Sequence, residues 1–523
     1  MAVLSLTRNG LVIVILLVLH EGFYFLPDRL VSIPGVGRVS DVFLVAFPVV
    51  LVVFHRSLLN MARRYREESL MVLCFCGIIL LSPLMAKYFF GQPCLRGLII
   101  VRKNFFWLSF FMFILLIRDL NAIDKLLKVL TILVGMYVVI LLVTKQFPGL
   151  GLIHFPEMFY GYSERESYVR FGEYRLFFPY GSVPVMFYCI ALARLLHPSE
   201  RKSFLPKAEL LIFCIIVAYA VVSSLTRGLI YAFVIVTFVA LLAAQKRTLR
   251  VIAGAFVAVF LLVEVLDVAT QTEGGSLIEG TTLGKIIFKS DTDTLRTESQ
   301  RKLQASMCLT QFARSPLTGV GTLDNSADTS WQDEAHPMYR KDSTRENSMN
   351  AIWLNLVHSM YRKYGFFNTT DLGYLKIAAE SGLLGVAWLV WYFWYFYRRG
   401  RQTLAKVISS GGNPTAEAVC RGLLYFTTYL LISGVTLPHW VYMNGITVLP
   451  LSLVLMAITR VSASRMERVV ANATIRPAGN CDVTSRKGVS SSGRGYRRQF
   501  RRPQTNSEEL PHFRRKRQRT IDE

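Results

Sequence analysis

Charge is scarce in this chain: Asp, Glu, Lys and Arg make up only 18% of its 523 residues, and the acidic sign is the scarcer, 35 against 59. Soluble globular chains carry about a quarter charged residues, so a set of water-soluble domains is excluded. Paired cysteine spacing is also missing. The eight cysteines are scattered, with Cys74, Cys76, Cys189 and Cys214 inside apolar runs. None stands at metal-ligand spacing, which leaves them as packing residues. Cys94 and Cys308 both fall on the expected outer side, and nothing in the sequence pairs them. The first apolar run, Leu11 to Phe25, lacks a small-residue cleavage site and reads as a retained helix, not a removed signal peptide. What abounds is apolar: 52% hydrophobic residues and a mean hydropathy of +0.39. A membrane class follows.

A bilayer core needs about 20 consecutive apolar residues per helix. That window predicts an all-α, polytopic membrane protein of about twelve transmembrane helices, at 11–26, 40–55, 69–86, 104–117, 126–143, 176–196, 210–223, 228–244, 251–266, 375–397, 419–437 and 441–459. Residues 1–266 then hold spans one to nine, and 267–374 form one large extracytoplasmic loop between spans nine and ten. Residues 375–459 hold the last three spans and 460–523 a tail. Lys and Arg accumulate in cytoplasmic turns. With the N-terminus inside, those turns include Arg56, Arg63, Arg64 and Arg66, and later Arg398, Arg399, Arg401 and Lys406. From Arg460 onward sixteen Lys and Arg stand against six Asp and Glu among Ser, Gly and Pro, too little apolar surface to fold. A disordered cytoplasmic tail that touches anionic membrane lipids is expected. Nucleic acid is not an expected partner, because a solvated, topology-fixing tail suits a twelve-span chain better. Both termini are then cytoplasmic, at an inner membrane.

Some outer connections keep arginines that this rule would exclude. Arg227 lies in Ser223-Ser224-Leu225-Thr226-Arg227-Gly228, a very short turn between two apolar helices. An arginine near hydrocarbon depth costs about 2.5–3.5 kcal/mol on insertion scales unless it snorkels or meets a partner, so a functional role is the preferred reading. Arg170 and Arg175 stand in the connection before the sixth span. A guanidinium fork grips phosphate oxygens at two points and stays charged at any working pH, which suits a pyrophosphate at a membrane surface. Snorkelling to headgroups, or pairing with Glu164, Glu166 and Glu173, is the equal alternative.

The large loop divides into three pieces. Residues 292–314 place Leu295, Leu303, Met307, Leu309 and Phe312 among polar residues, the pattern of an amphipathic helix on the outer leaflet. Ser315 to Thr322, with Pro316, Gly319 and Gly321, reads as a tight turn. Then Trp331, His336, Met338 and Tyr339-Arg340-Lys341 recur 22 residues later as Trp353, His358, Met360 and Tyr361-Arg362-Lys363. The repeat is too short for a solenoid. It reads either as a sugar-stacking platform, with His358 among its binding residues, or as chance duplication that packs the loop. Asp371 sits just before the tenth span and Glu380 about two and a half turns beyond it. A carboxylate at a membrane rim suits a general base for a sugar hydroxyl. A helix N-cap for Asp371, and pairing inside the bundle for Glu380, are the alternatives.

Three marks now stand in order: Ser224-Leu225-Thr226-Arg227-Gly228, then Arg314-Ser315-Pro316-Leu317-Thr318-Gly319-Val320-Gly321, then Glu380-Ser381-Gly382-Leu383-Leu384-Gly385. With this hydropathy profile the chain resembles the O-antigen ligase and O-antigen polymerase family, from about the fourth span to the eleventh. The resemblance implies a membrane-embedded, GT-C-like glycosyltransferase that needs no metal and no cofactor. Its donor would be a polyprenyl-pyrophosphate-linked glycan, its acceptor a glycan or lipid, and chain-length regulator or export proteins its further partners. Arg227 with Arg170 or Arg175 would hold the pyrophosphate. Family ligases place His followed by Asn, Ser or Gln eleven residues before the first Gly of Gly-x-x-Gly; here that position is Asp371, followed by Leu372, and His358-Ser359 lies 24 residues before Gly382. The expected activity is therefore polymerisation of lipid-linked repeat units for O-antigen or exopolysaccharide, with ligase-type transfer as the alternative. A flippase or transporter is a further one, which the lack of two related halves disfavours.

Overall fold

The computed structural model describes residues 2–20, 32–33, 37–147, 150, 169–170, 173–174, 176, 181–197, 204–224, 226–244, 305, 308–322, 372–435 and 448–475. Apolar runs with local caps form the helices. In chain order these are α1 (Ala2–Leu19), α2 (Val39–Val53), α3 (His55–Arg64) and α4 (Arg66–Phe90). A 3-10 stretch, Arg102–Leu108, joins α5 (Cys94–Val101) to α6 (Ser109–Leu116), and α7 (Leu120–Gln146) follows. The second half has α8 (Ser182–Leu196), α9 (Lys207–Ser223), α10 (Arg227–Leu242), α11 (Gly373–Ser409), α12 (Pro414–Ser433) and α13 (Val448–Ile475). Strand among the described residues is confined to two antiparallel pairs of two residues each, β1 (Ser32–Ile33) with β2 (Gly37–Arg38), and β3 (Val169–Arg170) with β4 (Glu173–Tyr174). The described contacts belong to a unit Met1–Ala473; a second unit is Thr474–Glu523.

Caps show why several helices begin and end where they do. The Asp119 carboxylate accepts from Ala122 N at 2.8 Å and starts α7. Asn413 accepts from Thr415 N and Ala416 N at 3.1 and 3.0 Å, with Pro414 at the first helical position of α12. Gly91, at φ 71°, closes α4 in the left-handed region.

By length and composition, five described helices are apolar enough to cross a membrane: Arg66–Phe90, Cys94–Leu116, Leu120–Gln146, Gly373–Ser409 and Val448–Val469. A sixth candidate is α2 with α3, bent by 90° at their junction, and Arg8–Leu19, Ser182–Leu196 and Gly228–Leu242 are shorter apolar helices. The chain is thus helical and multi-pass, while the expected span 251–266 and most of the loop lie outside the described residues.

Three expectations meet described residues here, and the last of them, the tail boundary, is corrected. The span expected at 40–55 is matched by α2, Val39–Val53, and the basic turn expected after it is the helix α3, carrying Arg56, Arg63 and Arg64 and bent 90° from α2, as suits a basic interfacial helix. The expected loop helix is described at 305 and 308–314, where Leu309 is 55% exposed while Cys308 and Gln311 are buried; the rest of 292–314 lies outside the described residues. Helix also continues past the expected tail boundary at Arg460 to Ile475. Composition missed this because tertiary partners hold that stretch: Arg460 pairs with Glu68 at 2.7 Å, Lys406 with Glu467 at 2.7 Å, and Ala463 is buried against Val407.

α4 and α11 run antiparallel, and this pairing positions the site. At one end Glu67 meets Arg399 at 2.7 Å. Further along, Trp388 Nε1 donates to Met71 O at 2.8 Å, and the rings of Phe75, Trp107 and Trp388 pack tilted or edge-on with centroids 4.6 to 5.1 Å apart. At the other end the loop turn 315–322 lies against both helices.

Candidate functional site

α11 breaks at Gly382, whose φ of 62° and ψ of −156° lie in a region essentially reserved for glycine. A break frees main-chain groups on both sides, and within a membrane these need protein partners. The turn 315–322 supplies them. Val320 N donates to Ala379 O at 2.9 Å and Gly321 N to Glu380 O at 3.1 Å, closing the first half-helix; Leu383 N and Leu384 N donate to Pro316 O and Leu317 O at 2.7 and 3.1 Å, opening the second. The second and third sequence marks are thus two halves of one joint.

Backbone must approach backbone for this joint to close. A Cβ on Gly319 would stand 2.3 Å from the Glu380 carbonyl carbon, and one on Gly382 would stand 2.5 Å from Gly319 N. Gly321 lies equally close to α4, where its Cβ would meet Ser82 O at 2.2 Å. Gly319 and Gly321 also have φ of 70° and 85°, as the expected tight turn requires. Thr322 completes the seam: its N–H donates to Ser82 Oγ at 2.7 Å, Ser82 Oγ donates to Thr322 Oγ1 at 2.9 Å, and Gln92 Nε2 donates to Thr322 O at 3.1 Å.

Behind the turn sits a buried ion pair. Glu380 is 3% exposed and Lys376 7%, with Nζ and Oε1 3.8 Å apart, one helical turn along α11. Among the described residues Glu380 Oε1 accepts no hydrogen bond, and the Thr322 side chain bears on the same carboxylate. Burial first, and then the Glu380 charge, push the Cys308 thiol up to about 12. Cys94 and Cys308 are both free thiols.

The residues expected from sequence divide between described and undescribed positions. Arg227 is the first residue of α10. Its turn is knotted by Ser224 Oγ donating to Val221 O at 2.7 Å and Thr226 Oγ1 donating to Ser224 O at 3.2 Å. Leu176 N, the residue after Arg175, donates to Ser223 O at 2.9 Å, so the connection before α8 returns to the turn that opens α10. Arg170 lies in β3 with its Cα opposite Glu173 of β4. Glu380 takes the buried, paired position just described. Arg175, His358, Asp371 and the 22-residue repeat lie outside the described residues, and the cap position of α11 is Leu372, with no side-chain cap bond.

Two other arginines expected on the outer side have local partners. Arg102 forms a two-point pair with Asp41 at 3.1 and 3.3 Å, and Arg314 lies 5.9 Å from the ring centroids of Phe89 and Phe90. Sequence reasoning passed over Lys376, Ser82, Gln92 and Thr322. Lys376 alone had a local signal, its four-residue spacing from Glu380; the others act across some 230 to 240 positions.

Residues 212–390 match the family model described as O-antigen ligase. The match begins within α9 and ends within α11, so it takes in the Arg227 turn, the glycine turn and the break at Gly382, and it supports assignment to the O-antigen ligase and polymerase family. No curated protein matches the chain.

Proposed function

From an O-antigen ligase-type domain at residues 212–390, we propose that the protein transfers a glycan from a polyprenyl-pyrophosphate carrier to a hydroxyl acceptor at the outer face of the inner membrane. The observation that carries this reading is the joint at Gly382, which ties the loop into the membrane domain within the matched stretch, on the side where the Leu176 to Ser223 bond draws the 170–175 connection to the Arg227 turn. In the reaction the acceptor oxygen attacks the anomeric carbon, the bond from that carbon to the pyrophosphate oxygen breaks, and the hydroxyl proton passes to a base. Arg227, with Arg170 or Arg175, holds the departing pyrophosphate and supplies the positive charge that a metal supplies elsewhere. Asp371 is the base and His358 contacts the glycan. Glu380, buried with Lys376, is a positioning residue: it holds the joint from behind and so orients the Asp371 end of α11.

Arg227→Ala tests the reading in cells supplied with the matching lipid-linked glycan. It is expected to abolish transfer while the protein remains in the membrane; a normal glycan ladder on the acceptor would overturn it. The form of the blocked product separates two readings. Ligase-type transfer leaves long chains on the carrier, whereas polymerisation leaves single repeat units. Ligase-type transfer is the main reading because the matched family is described that way; Asp371-Leu372 in place of a His pair favours the second.

A further inference from the structure

The end of the α4 and α11 pair opposite the glycine joint carries a cleft of about 420 Å³, within the roughly 300–1,000 Å³ range of ligand clefts. Its lining includes Arg64, Arg66, Arg399 and Arg460 with a single carboxylate, Glu67, and the apolar Leu70 and Trp391. Two of the arginines are committed. Arg399 pairs with Glu67 at 2.7 Å and Arg460 with the fully buried Glu68 at 2.7 Å, which neutralises both acids. Arg64 and Arg66 are exposed and form no ion pair among the described residues, Arg64 lying 5.4 Å from the Tyr65 ring. Arg460 Nε is buried and donates to nothing described. The cleft therefore holds uncompensated guanidinium groups.

What lies beside it identifies the ligand. Leu70, Leu73, Leu80 and Leu84 are about half exposed, at 49%, 52%, 50% and 51%, and their spacing sets them on one stripe of α4. The stripe leads away from the arginines along a candidate membrane span, and Val390 and Trp394 of α11 are 61% and 62% exposed nearby in sequence to Trp391. Phosphate-gripping groups at the head of an apolar track, with a tryptophan at the boundary, match a lipid and not a soluble anion.

We propose that this cleft binds the phosphodiester headgroup of an anionic phospholipid, with an acyl chain along the Leu70 to Leu84 stripe, in the leaflet that the arginine-rich turns assign to the cytoplasmic side. The proposal is independent of the glycan-transfer reading, since the two regions are at opposite ends of α4. Native mass spectrometry of the purified full-length chain tests it, with equal phosphatidylglycerol and phosphatidylcholine offered in detergent. Wild type is expected to retain phosphatidylglycerol with a roughly thirtyfold preference, about what two added arginine contacts supply. The R64Q/R66Q variant, or R66Q alone if the double variant is poorly folded, should lose most of that preference, and R401Q, an exposed arginine outside the cleft, should keep it. An undiminished preference in both R64Q/R66Q and R66Q, or an equal loss in R401Q, would overturn the site. Displacement of the bound lipid by millimolar inorganic phosphate would also overturn it, in favour of a soluble anion.

Discussion

The same two helices, α4 and α11, are fastened differently at their two ends. At the glycine joint they meet through the loop turn: α11 is held main chain to main chain, by four hydrogen bonds between residues 316–321 and 379–384 with no side chain able to stand between them, and α4 through the Ser82 hydroxyl on Thr322. At the arginine end it is side chain to side chain, through Glu67 with Arg399 and through Glu68 with Arg460 and the Tyr395 hydroxyl. Main-chain joints tolerate no added volume but are indifferent to charge and salt. Ion pairs tolerate changes of shape but depend on charge and on how far water reaches them.

That contrast can be broken from either side. The largest effect is expected from Gly382→Ala, which places a Cβ 2.5 Å from Gly319 N and forces a glycine-only conformation, for a destabilisation of about 3 kcal/mol or more. Thermal unfolding in detergent measures it, and the loss should not change with ionic strength. The same variant sharpens the comparison through Cys308. In wild type the thiol, buried and held up to about 12, stays protonated at pH 8 and should resist maleimide. Opening the joint returns it toward its ordinary value and to solvent, so peptide mapping should find it labelled.

Glu68→Gln is expected to come second. It removes the charge that meets Arg460, whose side chain is 26% exposed against 0% for Glu68, so the loss should be roughly 2 kcal/mol, below the range for a fully buried pair. Unfolding with and without salt would show it. Lys406→Ala should be smallest. Its pair with Glu467 is 41% and 47% exposed, and such pairs contribute about 0.5 kcal/mol; a loss as large as that of Glu68→Gln would contradict the ranking.

Legibility in the sequence followed the range of the interactions. Pro316, Gly319 and Gly321 announce a turn, and Glu380-Ser381-Gly382 stands out as a motif. That the two are one object was not visible, because the residues that meet are some 60 positions apart and main-chain bonds leave no mark on side-chain identity. Likewise the 460–475 stretch looked unfoldable by composition, yet Arg460, Ala463 and Glu467 each meet a partner on a distant helix. The bond from Leu176 to Ser223 has no sequence signature either, although it draws the connection of one candidate arginine onto the turn of another.

The sequence by itself determined the membrane class, the positions of most helices and the tight turn before α11, because hydropathy and the conformational freedom of glycine are properties of short windows. Tertiary structure alone decided that α11 breaks and is repaired by the loop, that α11 carries a charged lock at one end and a main-chain joint at the other, and that Glu380 turns inward. These outcomes depend on which distant main-chain groups are left to satisfy one another once water is excluded, and that is settled only when the helices pack.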